Sequence, residues 1–151
     1  MIRPMLPADA ETVAELIRTA FATVAPLLDP APSALRETAD SIRRQLEAGG
    51  GAVWDEGGVQ ACVLWRVEHN ALYLGRLSVR PEWQGRKIAR RLLEAAEAEA
   101  RARRLPRITL AVRLALPRNR HVFAAAGFRE TRQHAHEGFP SPTFADAEKW
   151  L

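Results

Sequence analysis

The chain has 151 residues, 47% of them hydrophobic and 26% charged, a balance that fits a globular protein with a real core and excludes a disordered or fibrous one. Twenty-two basic against 18 acidic residues leave a net charge of +4, which favours anionic ligands without choosing among them. The lone Cys62 excludes an internal disulfide and no apolar run reaches bilayer length, so the expectation is one cytoplasmic domain over residues 1–151 with no membrane partner.

Residues 1–4 suit an edge strand, where Pro4 is tolerated. From Ala8 the apolar positions Val13, Leu16, Ile17, Ala20, Phe21 and Val24 repeat at helical spacing, with Asp9 placed as a cap. After the loop Asp29-Pro30-Ala31-Pro32, Ser33 is placed to cap a second helix. Its stripe is Leu35, Ala39, Ile42 and Leu46, and Gly49-Gly50-Gly51 ends it. Residues 52–55 and 59–68 read as strands joined by Glu56-Gly57-Gly58, and 71–79 as the next strand after a His69-Asn70 turn. A helix is predicted over about 84–104, with Ile88, Leu92, Leu93 and Ala96 inward and Glu97/Arg101 and Glu99/Arg103 pairs outward. Pro106 ends it, and residues 107–116 read as a strand. A short helix through Val122 and Phe123 closes at Gly127, and 128–136 read as another strand. For residues 143–151 propensity alone favours a helix with Phe144, Ala147 and Leu151 on one face. Hairpins followed by a strand–helix–strand unit imply an α/β (α+β) architecture, a mixed and strongly bent sheet of about six or seven strands with helices on both faces.

The stretch from Leu77 to Ala89 is the most informative: an apolar strand, a break at Pro81 and a glycine-containing turn lead into the long helix. Arg86, Lys87, Arg90 and Arg91 crowd the helix start, and no acid follows until Glu94. A helix N-terminus already carries roughly half a positive charge, so cations there are unfavourable unless an anion is bound. Unsatisfied N–H groups at a helix start bind phosphate readily, whereas the plain reading of a charge run is a solvated basic face. The position of this run points to a phosphorylated ligand. Arg101, Arg103 and Arg104 lie at the other end, where cations suit the dipole.

Leu77-Ser78-Val79-Arg80-Pro81 followed by Gln84-Gly85-Arg86-Lys87-Ile88-Ala89 resembles the coenzyme segment of the GCN5-related N-acetyltransferase (GNAT) superfamily, whose pattern is Gln/Arg-x-x-Gly-x-Gly/Ala. Asn119, Phe123 and Ala126-Gly127-Phe128, one helix and one strand further on, are similar to that family's Asn…Tyr…Gly-Phe ending. The resemblance implies the GNAT fold, with the sheet splayed between its fourth and fifth strands. It also makes residues 143–151 a strand that completes the sheet, contrary to their propensity. Acetyl-CoA is the implied cosubstrate, without a metal. Its pyrophosphate would lie on backbone N–H groups of Gln84, Gly85, Arg86, Lys87, Ile88 and Ala89, with Arg90 nearby. Pantetheine would pair with the backbone of Leu77 and Val79 like an added strand, beside Asn119 and Phe123. The implied reaction is direct attack on the thioester by the primary amine of a small molecule or peptide, and the family also suggests a homodimer.

The chain departs from the family pattern at three places. Lys87 stands where glycine is preferred; a lysine there either keeps helical dihedrals and points outward or adds its ammonium to the anion site. Phe123 stands where a tyrosine often protonates the leaving thiolate, and phenylalanine has no proton to give. A thiolate whose conjugate acid has a pKa of about 8.5 still leaves tolerably without help. Where relatives often carry a glutamate base, the fourth strand offers Tyr73, Arg76 and Ser78. The segment His136-Glu137-Gly138-Phe139 before Pro142-Thr143 is similar to a loop on the acceptor side of some relatives, so His136 and Glu137 are the candidate bases, against a plain reading as a polar loop. Glu68 and His69, at a hairpin end, are open to the same reading.

Residues 24–35 and 136–143 are the expected acceptor loops, where only Asp29, Glu37 and Glu137 would suit a polyamine. His134 and His136, two apart with no spaced third ligand, make a poor metal pair. Trp54, Trp65, Trp83 and Trp150 are scattered, which favours packing over base stacking, and no nucleic-acid partner is expected. Cys62 reads as a buried inert thiol. Phe123 and the missing base motivate one alternative, a non-catalytic acyl-CoA-binding sensor.

Overall fold

Three strands of the meander form as expected: β2 (Gly50–Asp55), β3 (Val59–Glu68) and β4 (Ala71–Val79), paired antiparallel in succession in a computed structural model that describes residues 1–151. Short β1 (Ile2–Pro4) adds to the outer edge of β2. Beyond β4 come β5 (Arg107–Arg113), β7 (Phe144–Trp150) and β6 (Arg129–His134), giving the order β1-β2-β3-β4-β5-β7-β6. Every neighbouring pair is antiparallel except β4 and β5, whose parallel ladder covers only Leu72 against Ile108 and Tyr73 against Thr109. Past Tyr73 the two strands separate, which is the expected splay.

Helices α1 (Ala10–Val24) and α2 (Ala39–Ala48) cover one face of β2, β3 and β4, while α3 (Ile88–Ala102) covers the other. The first layer encloses Val13, Leu16, Ile17, Ile42, Val53 and Cys62; the second encloses Leu72, Leu74, Leu92, Ala96, Ile108 and Leu110. Because β3 has a helix layer on each side, Ala61 to Trp65 are all buried and alternation disappears. In β5 alternation persists: Ile108, Leu110 and Val112 are buried toward α3, while Arg107, Thr109, Ala111 and Arg113 face away from it. The last helix, α4 (Pro117–Ala125), follows β5 directly. No helix is long and apolar enough to cross a membrane.

Four element readings need correction. Ser33 starts only a one-turn 3-10 segment, Ser33–Arg36; the cap of α2 is Thr38, whose hydroxyl accepts from the Ser41 N–H at 3.1 Å while Ser41 Oγ accepts from the Thr38 N–H at 2.8 Å. Asp9 precedes α1 but its carboxylate takes Arg3 and the Leu6 N–H instead of capping the helix. The fifth strand ends at Arg113, three residues early, because residues 114–115 form a turn closed by the Leu116 N–H onto the Arg113 carbonyl at 3.2 Å. Residues 144–150 form a strand, as the family resemblance implied and against propensity, because both edges of β7 are taken by β5 and β6 and every second residue is buried.

Candidate active site

The helix start differs from the sequence reading. Gly85 (φ +80°) and Lys87 (φ +62°) are both left-handed, a conformation no right-handed helix contains, so α3 begins at Ile88 and not at Gln84. The Gln84 N–H closes the turn onto the Pro81 carbonyl at 3.3 Å, and the next backbone donor with an acceptor is Arg91, onto Lys87. Between them the six N–H groups of Gly85, Arg86, Lys87, Ile88, Ala89 and Arg90 have no backbone acceptor, and no side chain caps the helix. Two left-handed residues amid a run of free amides at a helix start make an anion cradle. Of the four cations, the Arg86 guanidinium lies 4.4 Å over the Trp83 ring and Arg90 reaches Glu94 at 3.5 Å. Lys87 and Arg91 are exposed with no carboxylate in ion-pair range.

Lys87 therefore does not keep helical dihedrals; it takes the conformation glycine would take, at a cost of about 1–2 kcal/mol for a side-chain-bearing residue. Lys87→Gly is expected to raise the stability of the ligand-free protein by at most about 1 kcal/mol, since glycine's extra freedom in the unfolded chain offsets part of the gain. Thermal melts of the two proteins measure it, and a lower melting temperature for the variant would show that the lysine side chain holds the turn.

One strand away, β4 carries a bulge. Leu64 pairs with Gly75 and Cys62 with Ser78, so Arg76 and Leu77 together oppose Val63, and Arg76 sits at φ +58°. Ser78 Oγ donates to the Arg76 carbonyl at 2.9 Å. The Arg76 side chain crosses to the α1–α2 segment, donating from Nε to Glu37 Oε2 at 2.6 Å and from a terminal nitrogen to Ser33 Oγ at 3.1 Å. Glu37, 6% exposed, also receives Ser41 Oγ at 2.6 Å and the Gln45 amide at 3.1 Å. Burial works to raise its pKa, but the Ser41 and Arg76 hydrogen bonds and the Arg76 charge outweigh it and hold the carboxyl below its ordinary range. Glu37 is thus engaged inside the fold and is not a free acid for a polyamine. Burial pushes the Cys62 thiol up to about 12, so it is inert at neutral pH.

After the bulge, Leu77 and Val79 point toward the α3 side and pack on its core. The edge of β4 facing β5 has no strand partner there, and Gln84 Nε2 contacts the Val79 carbonyl at 3.5 Å. A cleft of about 100 Å³ opens between the separating strands, lined by Leu77, Arg76, Arg113, Phe21 and, from α4, Asn119 and Phe123. Phe123 meets Phe128 edge to face with ring centres 6.0 Å apart, so it fills space at the mouth of the cleft. Ile88 is buried and Ala89 half-buried at the cradle. The structure therefore brings the cradle, the free edge of β4 and the α4 pair to one end of the splay.

The two expected acceptor loops converge on the end of β5 from its open face. Arg113 donates to the Pro30 carbonyl at 2.7 Å, and the Leu114 N–H to the Thr143 carbonyl at 3.0 Å. Thr143 organises His136: its hydroxyl oxygen accepts the His136 N–H at 2.9 Å, contacts Nδ1, and directs its own proton toward the His134 carbonyl at 3.5 Å. Nδ1 is thereby engaged within the protein, and Nε2 is the ring nitrogen with no protein partner. Burial first, and the nearby Arg113 charge second, hold the His136 pKa below its ordinary 6.5. Glu137, by contrast, is exposed in the following turn with no partner, and Glu68 is taken by Arg66 at 2.8 Å. His134 stacks on Phe144 and meets Asp146 at 2.6 Å. Arg113, Thr143 and the Glu37–Arg76 pair escaped the sequence reading; the outward parity of Arg113 on an alternating strand was the one signal available.

No curated protein matches the chain in a sequence comparison. Among solved structures it is similar to the PaiA N-acetyltransferase of Thermoplasma acidophilum in complex with coenzyme A, at TM-score 0.81 and 17% identity, over 100% of this chain and 98% of that one. An acetyltransferase of the GNAT family from Staphylococcus aureus gives TM-score 0.80 and 15% identity over 100% and 98%. YncA from Salmonella typhimurium, a putative acetyltransferase with its cofactor acetyl-CoA, gives 0.74 and 20% over 100% and 93%. The model of the acetyltransferase (GNAT) family matches residues 13–128, well over half of the sequence, and the chain belongs to that family.

Proposed function

We propose that the chain is an acetyl-CoA-dependent N-acetyltransferase acting on a primary amine, with residues 1–151 working as one catalytic domain. The six free amides from Gly85 to Arg90 carry this reading. They are a donor set for a pyrophosphate, and the unpaired edge of β4 beside Asn119 suits the amide-bearing pantetheine arm. Bound there, the coenzyme supplies a thioester: the amine nitrogen bonds to the acetyl carbon as the carbon–sulfur bond breaks. Gln84, Arg86 and Lys87 sit at the phosphate end, Leu77 and Val79 along the arm, and His136, with Nδ1 turned to Thr143 and no protein partner at Nε2, takes the proton of the attacking amine through Nε2. Phe123 gives no proton to the thiolate, which solvent protonates.

That phenylalanine also motivates a second reading, a sensor that binds the coenzyme without turnover. Thermal melts with acetyl-CoA, desulfo-CoA and ADP, followed by free-thiol release over a panel of amines, test both. Coenzyme at about 100 times its Kd is expected to add about 2.7 kcal/mol of stability. No shift with acetyl-CoA removes both readings; a shift without thiol release from any amine leaves the sensor.

A further inference from the structure

Six arginines are at least partly withdrawn from solvent: Arg3, Arg76, Arg80, Arg107, Arg113 and Arg120. Five of them meet a carboxylate: Arg3 with Asp9, Arg76 with Glu37, Arg80 with Glu15, Arg107 with Glu148 and Arg120 with Glu130. Arg113 is the exception. Its one hydrogen bond goes to the Pro30 carbonyl, and Asp29, the acid next to that proline, is exposed and outside ion-pair range. Desolvation lowers its pKa, with Asp29 only partly opposing. A half-buried guanidinium without a counter-charge is unfavourable unless a ligand supplies one.

Its location says which ligand. Arg113 ends β5 on the face away from α3, so it lies across the splay from the amide cradle and beside His136. The partly buried acids on this face are already engaged, Glu37 by Arg76, Asp146 by His134, and Glu148 by Arg107 and Arg129, while Asp29 and Glu137 are exposed in the flanking loops. Of the charges withdrawn from solvent where the acceptor would enter, the Arg113 guanidinium is the one without a counter-charge. With one terminal nitrogen partly used on Pro30, the guanidinium keeps a two-donor edge, the geometry that fits a carboxylate.

We propose that Arg113 anchors a carboxylate on the acceptor, so that the substrate is an amino acid, with its amine held toward His136 and its acid group held by Arg113. The proposal rests on the N-acetyltransferase reading. A polyamine or a neutral amine would leave the guanidinium unmatched.

The experiment compares α-, β- and γ-amino acids with their carboxamides as acceptors, for the native protein and for Arg113→Gln and Arg113→Lys, with acetyl-CoA melts run alongside. The native protein is expected to prefer at least one free acid over its amide by roughly tenfold to a hundredfold in kcat/KM, the range of a charge-assisted hydrogen bond. Arg113→Gln brings that ratio toward one, and Arg113→Lys keeps part of it, while acetyl-CoA still shifts the melt of both. Equal use of acids and amides by the native protein overturns the proposal. So does an equal loss on both substrates in Arg113→Gln, which is the result if Arg113 only pins the Pro30 loop. Absence of an acetyl-CoA shift in the native protein overturns the acetyltransferase reading instead. The anchor is then read from melts with N-acetyl amino acids and their amides, and no preference for the acids overturns it.

Discussion

Glutamine in place of Glu37 is expected to lower the stability of the folded protein by about 2–3 kcal/mol. Breaking a buried ion pair by removing one partner typically costs about 3–5 kcal/mol, because the other charge is left uncompensated. Here the Arg76 side chain is 29% exposed and water can reach it, so the lower figure applies. The loss also depends on pH. Glu37 titrates below its ordinary value of 4.5 in the folded chain, so its contribution is complete above that value and fades as pH falls through the depressed folded pKa. The native protein should therefore lose stability below about pH 4.5 more steeply than Glu37→Gln does. Urea titrations at pH 7 and at pH 4 measure both effects; equal pH dependence in the two proteins would show that the carboxylate is not held ionised by the fold.

The same substitution reaches the candidate site. Arg76 is the left-handed residue of the β4 bulge, tied by its side chain to Glu37 and Ser33 and by its carbonyl to Ser78. The bulge turns Leu77 and Val79 toward the α3 side and brings β4 to the open edge where the splay begins. Loosening Arg76 should weaken coenzyme binding at a distance, although Glu37 lies on the α1–α2 side of the sheet. Replacing the pair together, Glu37→Leu with Arg76→Met, should recover stability, because a packed apolar pair avoids the desolvation of both charges. Coenzyme affinity in that double variant then reports whether the bulge alone positions the strand.

Much of the fold was legible because its signals are local. Pro106 marked the start of β5, turn residues marked the β2–β3–β4 hairpins, and the cations before Glu94 drew attention to the segment whose backbone amides are free. What escaped depends on contacts distant in sequence. Glu37 and Arg76 are 39 residues apart, and nothing local says that one cancels the other. Residues 144–150 have helical composition but are set as a strand by the two edges that hold them. Ser33 carried the right chemistry for a cap, yet Thr38, five residues on, won because its hydroxyl and that of Ser41 satisfy each other's backbone donors. The helix start was misplaced by four residues because Lys87 accepts a conformation that its side chain disfavours, and the family pattern's preference for glycine at that position was the one signal of it.

His136→Gln is expected to lower kcat by roughly a hundredfold to ten-thousandfold, the usual contribution of a positioned general base. Thr143 engages Nδ1, Nε2 has no partner in the protein, and burial together with the Arg113 charge favours the neutral imidazole. A neutral imidazole is the form that accepts a proton, so activity that depends on it should survive down to a pH below 6.5 before the ring protonates. An NMR titration of the free protein should place the His136 pKa below 6.5, and Arg113→Gln should move it upward by removing the opposing charge. A kcat retained in His136→Gln would assign the proton to another acceptor, solvent included. The two groups also act on each other through the substrate. A carboxylate bound to Arg113 cancels the charge that depresses the imidazole, so His136 becomes a stronger base once an acidic acceptor is in place. The titration repeated with a saturating N-acetyl amino acid should then give a higher pKa than in the free protein, and its amide should leave the value where it was.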